Sequence, residues 1–171
     1  MYKLIGLGPG ALPALRELAA DPDPDRRWWA VSTMAQITDA NLDIFLAVLK
    51  DEDLEVQQAA VLGLTARPHP KSVSALIELL PSPNSILRTL TTNALIAIGK
   101  DATSDLLIFL QDHQTQDAAR LNAVRALANI ADHKAIPALM AALEEDSALI
   151  RHWAEEGLEK LGLDMVYMKL E

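Results

Sequence analysis

The chain has no cysteine at any of its 171 positions, which excludes disulfides and thiol catalysis before any motif is considered. Aromatic residues are scarce, 4% against an apolar content of 50%, so a core must come from close-packed helices rich in Ala and Leu. Bases are the minority charge: 15 Lys and Arg face 24 Asp and Glu, for a net charge of −9. Phosphate binding needs a basic stripe, so nucleic acid is not expected as a partner. No uninterrupted apolar stretch approaches the roughly 20 residues that a membrane helix needs. The opening Met1-Tyr2-Lys3-Leu4-Ile5-Gly6 also lacks the apolar segment of a signal peptide. A soluble cytoplasmic protein that makes no membrane contact is therefore expected.

Catalytic patterns are absent too. His69, His113, His133 and His152 are dispersed along the chain, so no metal site is expected. Gly6, Gly8 and Gly10 lead into Ala-Leu-Pro instead of the Gly-Lys-Ser/Thr of a phosphate cradle, and read as a turn between two helices. No catalytic residue and no cofactor is assigned.

What the chain does have is a stride. Arg27, Gln57, Arg88, Arg120 and Arg151 follow one another at intervals of 30, 31, 32 and 31 residues. A period of that size carrying two helical patterns marks an α-solenoid. Three further positions on stand Ala30, Ala60, Thr91, Ala123 and Ala154, then the large column Met34, Leu64, Leu95, Leu127 and Leu158. Ile37, Arg67, Ile98, Ile130 and Leu161 complete the face, with Arg67 as an intruder expected to snorkel at its helix end. The small and large columns share one helical face. Asp23, Asp53, Asn84 and Ser147 precede these helices as caps, with Asp117 serving in the fourth unit. Second helices repeat as Leu42-Phe45-Leu46-Leu49, Val73-Leu76-Ile77-Leu80, Thr103-Leu106-Leu107-Leu110 and Ile136-Leu139-Met140-Leu143. Asp39, Asp101, Asp132 and His69-Pro70 are expected to open them.

Segments such as Arg120–Asp132 followed by Lys134–Leu139 resemble the HEAT family, specifically the short bacterial HEAT-like repeats of phycobilisome lyase type. The resemblance spans roughly residues 4 to 162. It implies an all-α protein, a right-handed α-solenoid (α-α superhelix) of about five HEAT-like hairpins, with the second helices lining the concave surface. The family serves as scaffolds, lyase subunits and nucleic-acid enzymes, so fold follows from the resemblance more firmly than function. One repeat domain, 1–171, is expected: a half repeat over 1–22, full repeats over 23–50, 53–81, 84–111 and 116–144, then a last helix and cap over 147–171. The N-terminal edge either folds back as a cap or pairs with another chain as a homo-oligomer. Gly162 is expected to end the last helix, leaving an apolar tail as a cap.

An arginine in the first helical turn opposes the helix dipole. Asp39, Asp101 and Asp132 are the expected partners of Arg88, Arg120 and Arg151 in a structural ladder; an anion-binding strip is the alternative. Acids crowd the turns between repeats, Asp51 and Asp53 among them, through capping and solubility or as a ridge that steers a basic partner. Arg26-Arg27-Trp28-Trp29 departs from the repeat pattern, because successive residues lie about 100° apart and both tryptophans cannot point inward. Trp28 shares a column with Gln58, Thr89, Leu121 and His152, so it either packs on the N-terminal segment or is exposed. Exposed Trp and Arg are enriched in binding hot spots. Arg26, Arg27, Trp28, Trp29, Asp51 and Asp53 are therefore candidate partner-binding residues. A second stripe, Leu18, Val48, Leu79, Phe109 and Ala142, either packs between units or forms a trough in the concave groove for a partner helix. The function expected is a non-enzymatic protein-protein interaction scaffold; the alternative is a subunit or chaperone-like partner of a bilin lyase.

Overall fold

A computed structural model describes residues 8–37, 40–112, 117–145 and 147–163. Five helices carry the arginine column: α2 (Pro24–Met34), α4 (Leu54–Ala66), α6 (Ser85–Ile98), α8 (Asp117–Ile130) and α10 (Ala148–Lys160). Five shorter ones alternate with them: α1 (Leu12–Leu18), α3 (Leu42–Val48), α5 (Val73–Ile77), α7 (Thr103–Gln111) and α9 (Ile136–Ala142). The described residues hold no strand.

Boundaries follow side-chain chemistry. Asp23, Asp53, Asn84 and Ser147 each accept a main-chain N–H from the first turn of the helix they precede. Asn41 caps α3 in the same way, while Asp39 lies outside the described residues. His69 and Asp132 accept the N–H of Lys71 and Lys134 at short 3-10 turns ahead of α5 and α9. Asp101 lies inside such a turn and caps nothing. Gly162, with φ at +82°, takes the left-handed conformation that closes α10. The tail beyond Leu163 lies outside the described residues.

Each short helix packs more extensively on the long helix that follows it than on the one before. Drawn by contact, the described helices make five hairpins, α1–α2, α3–α4, α5–α6, α7–α8 and α9–α10. Helix α1 packs on α2 as each later short helix packs on the long helix that follows it. The long helices lie against one another in an unbroken row, while among the short ones only α5 and α7 touch appreciably, and far less than any long pair. The long helices thus form the closely packed row of the stack and the short helices the looser one.

The tight row is possible because of its small residues. Ala30, Ala60, Thr91, Ala123 and Ala154 are 0% exposed. A second small column, Thr33, Gly63, Ala94, Ala126 and Gly157, is buried beside it. A Cβ on Gly157 would lie 2.8 Å from Ala128 Cα, so α8 and α10 approach to glycine distance. The large column Met34, Leu64, Leu95, Leu127 and Leu158 fills the layer between the rows, with Phe45, Leu76, Leu106 and Leu139 opposite.

Candidate protein-interaction surface

The arginine column reaches backward. Arg27 Nη1 donates to the carbonyls of Asp21 and Pro22, Gln57 Nε2 to Asp51, Arg88 Nη1 to Ser82 and Arg151 Nη1 to Glu145. Arg120 reaches the carbonyl of Leu110, across a longer connection. Each side chain thereby satisfies carbonyls at or just beyond the C-terminal end of the preceding short helix, where a positive charge is favoured by the dipole. The conflict with the arginine's own helix is resolved by its neighbour.

The acids that complete the ladder differ from those expected. Arg27 makes a bidentate pair with Asp51 of the next hairpin, Nε–Oδ2 and Nη2–Oδ1 both 2.8 Å, with side chains 9% and 11% exposed. Arg120 holds Glu145 of the next hairpin through Nε at 2.8 Å and through Nη2. Asp101 is exposed, and the buried Asp132 accepts the Lys134 N–H. Neither pairs with a column arginine, for a simple reason. Twelve residues separate Arg120 from Asp132, about 18 Å at 1.5 Å per residue, so they stand at opposite ends of one helix. The Arg27 guanidinium holds the Asp51 carboxyl below its ordinary range, against the opposing effect of burial and with help from the Asp53 N–H. The main-chain N–H of Asp23 does the same for Asp21, and that of Lys134 for Asp132.

Of the six candidate partner-binding residues, two are thus committed to the fold: Arg27 and Asp51 are consumed by their mutual pair. Asp53 accepts two main-chain N–H groups as the cap of α4. Trp29 is half-buried against the core. Trp28 is 39% exposed. Arg26 stands outside with a side chain 64% exposed, 3.2 Å from Asp21 and 3.7 Å from Asp23. Its column mates Val56, Leu87, Ala119 and Ile150 are all buried, so Arg26 breaks an apolar column without being required by it.

Arg67 does not snorkel. Its Nη2 donates to the carbonyls of Ala35 and Ile37 at the end of α2, and its guanidinium lies 5.6 Å from the centre of the Phe45 ring. In the second stripe, Val48 and Ala142 are buried while Leu18, Leu79 and Phe109 are half-buried against the core, so it packs between units. Two features were not foreseen. Arg125 bonds Asn93 at 3.1 Å and sits 5.6 Å from the Trp153 ring, linking α6, α8 and α10. Ile108 projects from α7 with 65% exposure, in a column otherwise filled by Glu17, Ala47, Glu78 and Ala141; that mismatch was available in the sequence.

Among the described residues, no group of three or more His, Asp or Glu is placed to hold a metal ion, and no helix is long and apolar enough to cross a membrane. A phycobilisome maturation protein of Synechococcus elongatus is 31% identical over 120 residues, 70% of this chain and 57% of its own. The chain therefore spans little more than half the length of that curated relative. Among solved structures, the complex of CpcE and CpcF of phycocyanin lyase from Nostoc sp. is similar in fold, with a TM-score of 0.65 at 20% identity over 93% of this chain and 68% of that one. An archaeal HEAT-like repeats protein from Thermococcus onnurineus also reaches 0.65, at 20% identity over 94% of this chain and 75% of that one. A model of HEAT repeats matches residues 42–117 and 100–159, and on that match, with ten helices stacked as five hairpins among the described residues, the chain belongs to the HEAT repeat family.

Proposed function

We propose that this HEAT-repeat scaffold works by binding another protein, without catalysis of its own, and that its first hairpin is the contact. The exposed pair Arg26 and Trp28 carries this reading, because each breaks the residue pattern of its column and neither is needed by the core. Large, rigid Trp side chains and Arg concentrate binding energy in protein interfaces. The acids left exposed along the chain, Asp25, Glu52 and Glu55 among them, favour a basic partner. Trp28→Ala tests it: the helical signal and denaturation midpoint should hold, while affinity for a captured partner should fall by about 2 kcal/mol or more. Unchanged affinity would remove the site.

A second reading rests on the 31% identity to the phycobilisome maturation protein: the chain acts beside a bilin lyase as its subunit or chaperone-like partner. The HEAT-like fold it shares with the CpcE–CpcF complex is compatible with pairing to another solenoid. Mixing purified protein with free bilin decides between them. A shifted absorption band supports the lyase-linked role, and an unshifted band together with a non-bilin protein partner supports the scaffold.

A further inference from the structure

The side of the stack away from the tight row carries an opening that neither packing nor the first-hairpin contact uses. Between α5 and α7, Ile77, Ile108 and Phe109 line a depression of about 340 Å³, bordered by Ser74, Glu78 and Asp105. Its floor is apolar and its rim is acidic. The Glu78 side chain is 64% exposed, and the nearest base, Lys50, reaches it only at 4.0 Å from a side chain itself 79% exposed. A contact that exposed is worth little and leaves the Glu78 charge available. Asp105 sits in the first turn of α7, exposed on the opposite side of the opening from Glu78.

Ile108 is the decisive residue. Its column is exposed in every hairpin and elsewhere holds Glu17, Ala47, Glu78 or Ala141, so the repeat requires nothing apolar there. An isoleucine left 65% exposed beside an apolar opening contributes little to the stack. It gains its burial only when something covers it.

Resting on the reading that the protein binds another protein, we propose that this depression is a second docking site. Its occupant is a segment of a partner protein that presents an aliphatic side chain flanked by lysine or arginine. The aliphatic group would cover Ile77 and Ile108. The flanking bases would meet Glu78 and Asp105, a complementarity that disfavours acidic segments and a second copy of this chain, whose net charge is −9.

The probe is a fluorescein-labelled peptide, Lys-Lys-Leu-Leu-Lys-Lys, titrated with the full chain by fluorescence anisotropy. Two controls accompany it: the same peptide with Ser for both Leu, and one with Glu for every Lys. The Leu peptide should bind at least about tenfold more tightly than either control. Ile108→Ser should weaken it about tenfold without loss of helical signal, since the side chain is exposed. Glu78→Lys combined with Asp105→Lys should weaken it similarly and transfer preference to the Glu-Leu peptide. Equal binding of the Ser peptide would reduce the effect to charge alone and overturn the proposal, as would an unaltered Ile108→Ser affinity or no binding of the Leu peptide. A wild-type dimer in sedimentation that Ile108→Ser dissolves would make a second copy the occupant and equally overturn it. If a captured partner is kept by Ile108→Ser and lost by Trp28→Ala, the groove fails alone. If the wild type captures no partner at all, the scaffold reading fails while the peptide series still decides the groove.

Discussion

Gly157→Ala sets two effects of opposite sign against each other. In an open helix, replacing glycine with alanine stabilises by about 1 kcal/mol, because the unfolded chain loses freedom. At position 157 the added methyl carbon would lie 2.8 Å from Ala128 Cα, 2.9 Å from Ala128 Cβ and 3.0 Å from Leu139 Cδ1. Carbon atoms in contact prefer about 3.5 to 4.0 Å, so α8 and α10 would have to separate by a sizeable fraction of an ångström. Ala128 Cα belongs to the main chain and cannot rotate aside. Overpacking costs about 1 to 3 kcal/mol, and a backbone obstacle places this site in the upper part of that range. After the helix gain is subtracted, a net loss of about 1 to 2 kcal/mol remains. Guanidinium denaturation followed by far-UV circular dichroism measures it, with hydrogen exchange showing whether α10 amides open before those of α4. Because each hairpin touches only its neighbours, the last hairpin should loosen first. A midpoint equal to or above that of the wild type would refute the close approach and, with it, the role assigned to the second small column.

Three further outcomes are expected. Leu127→Ala, at a fully buried position of the large column, should cost about 2 to 5 kcal/mol and loosen α6 and α10 as well; an unchanged midpoint would show the register to be wrong. Arg120→Ala should lower the midpoint while preserving partner affinity at temperatures where it remains folded, and Arg120→Lys should restore only part, since an ammonium cannot make the forked contact with Glu145; a full rescue by Lys would reduce the site to simple charge. The folded-state pKa of Asp51 is depressed, so its stabilisation is present above the unfolded value of 3.8 and is lost as pH falls through the lower folded value. Wild type and Asp51→Asn should therefore differ in midpoint at neutral pH and begin to converge only as pH falls from about 3.8 through the lower folded value, and a gap that stays constant into acid would exclude the pair as its cause.

The long-helix row was legible because its information is local and repeated: a small residue, a large one four positions later, and a capping side chain, with the arginine column as register. The ladder's partners were partly legible as well. Helix rise alone separates Arg120 from Asp132, whereas choosing Asp51 for Arg27 depends on how hairpins stack, and stacking is not written in either residue. Arg67 misleads for the same reason. Read along its own helix it is a charge at an apolar position; only the fold brings the open carbonyls of Ala35 and Ile37 to it. Trp28 could be placed at the surface from its polar column mates. The depression beside Ile108 needed α5 and α7 to be neighbours, which the repeat implies, and their side chains to leave an opening, which it does not.

The polar cross-links are unevenly shared among the joints of the stack. Between the first and second hairpins stand the Arg27–Asp51 fork and the Arg67 bonds. Between the third and fourth are Thr92–Asn122 and Asn93–Arg125, and between the fourth and fifth Arg120–Glu145 and Asn129–Lys160. Between the second and third, the described side chains offer only the long, exposed Lys50–Glu78 contact, and apolar surfaces do the rest. Interdigitated apolar side chains fix a geometry as polar bonds do, but they carry no charge to titrate or screen. The joint between the second and third hairpins should therefore change little with pH or salt, whereas the one held by Arg27 and Asp51 weakens in acid.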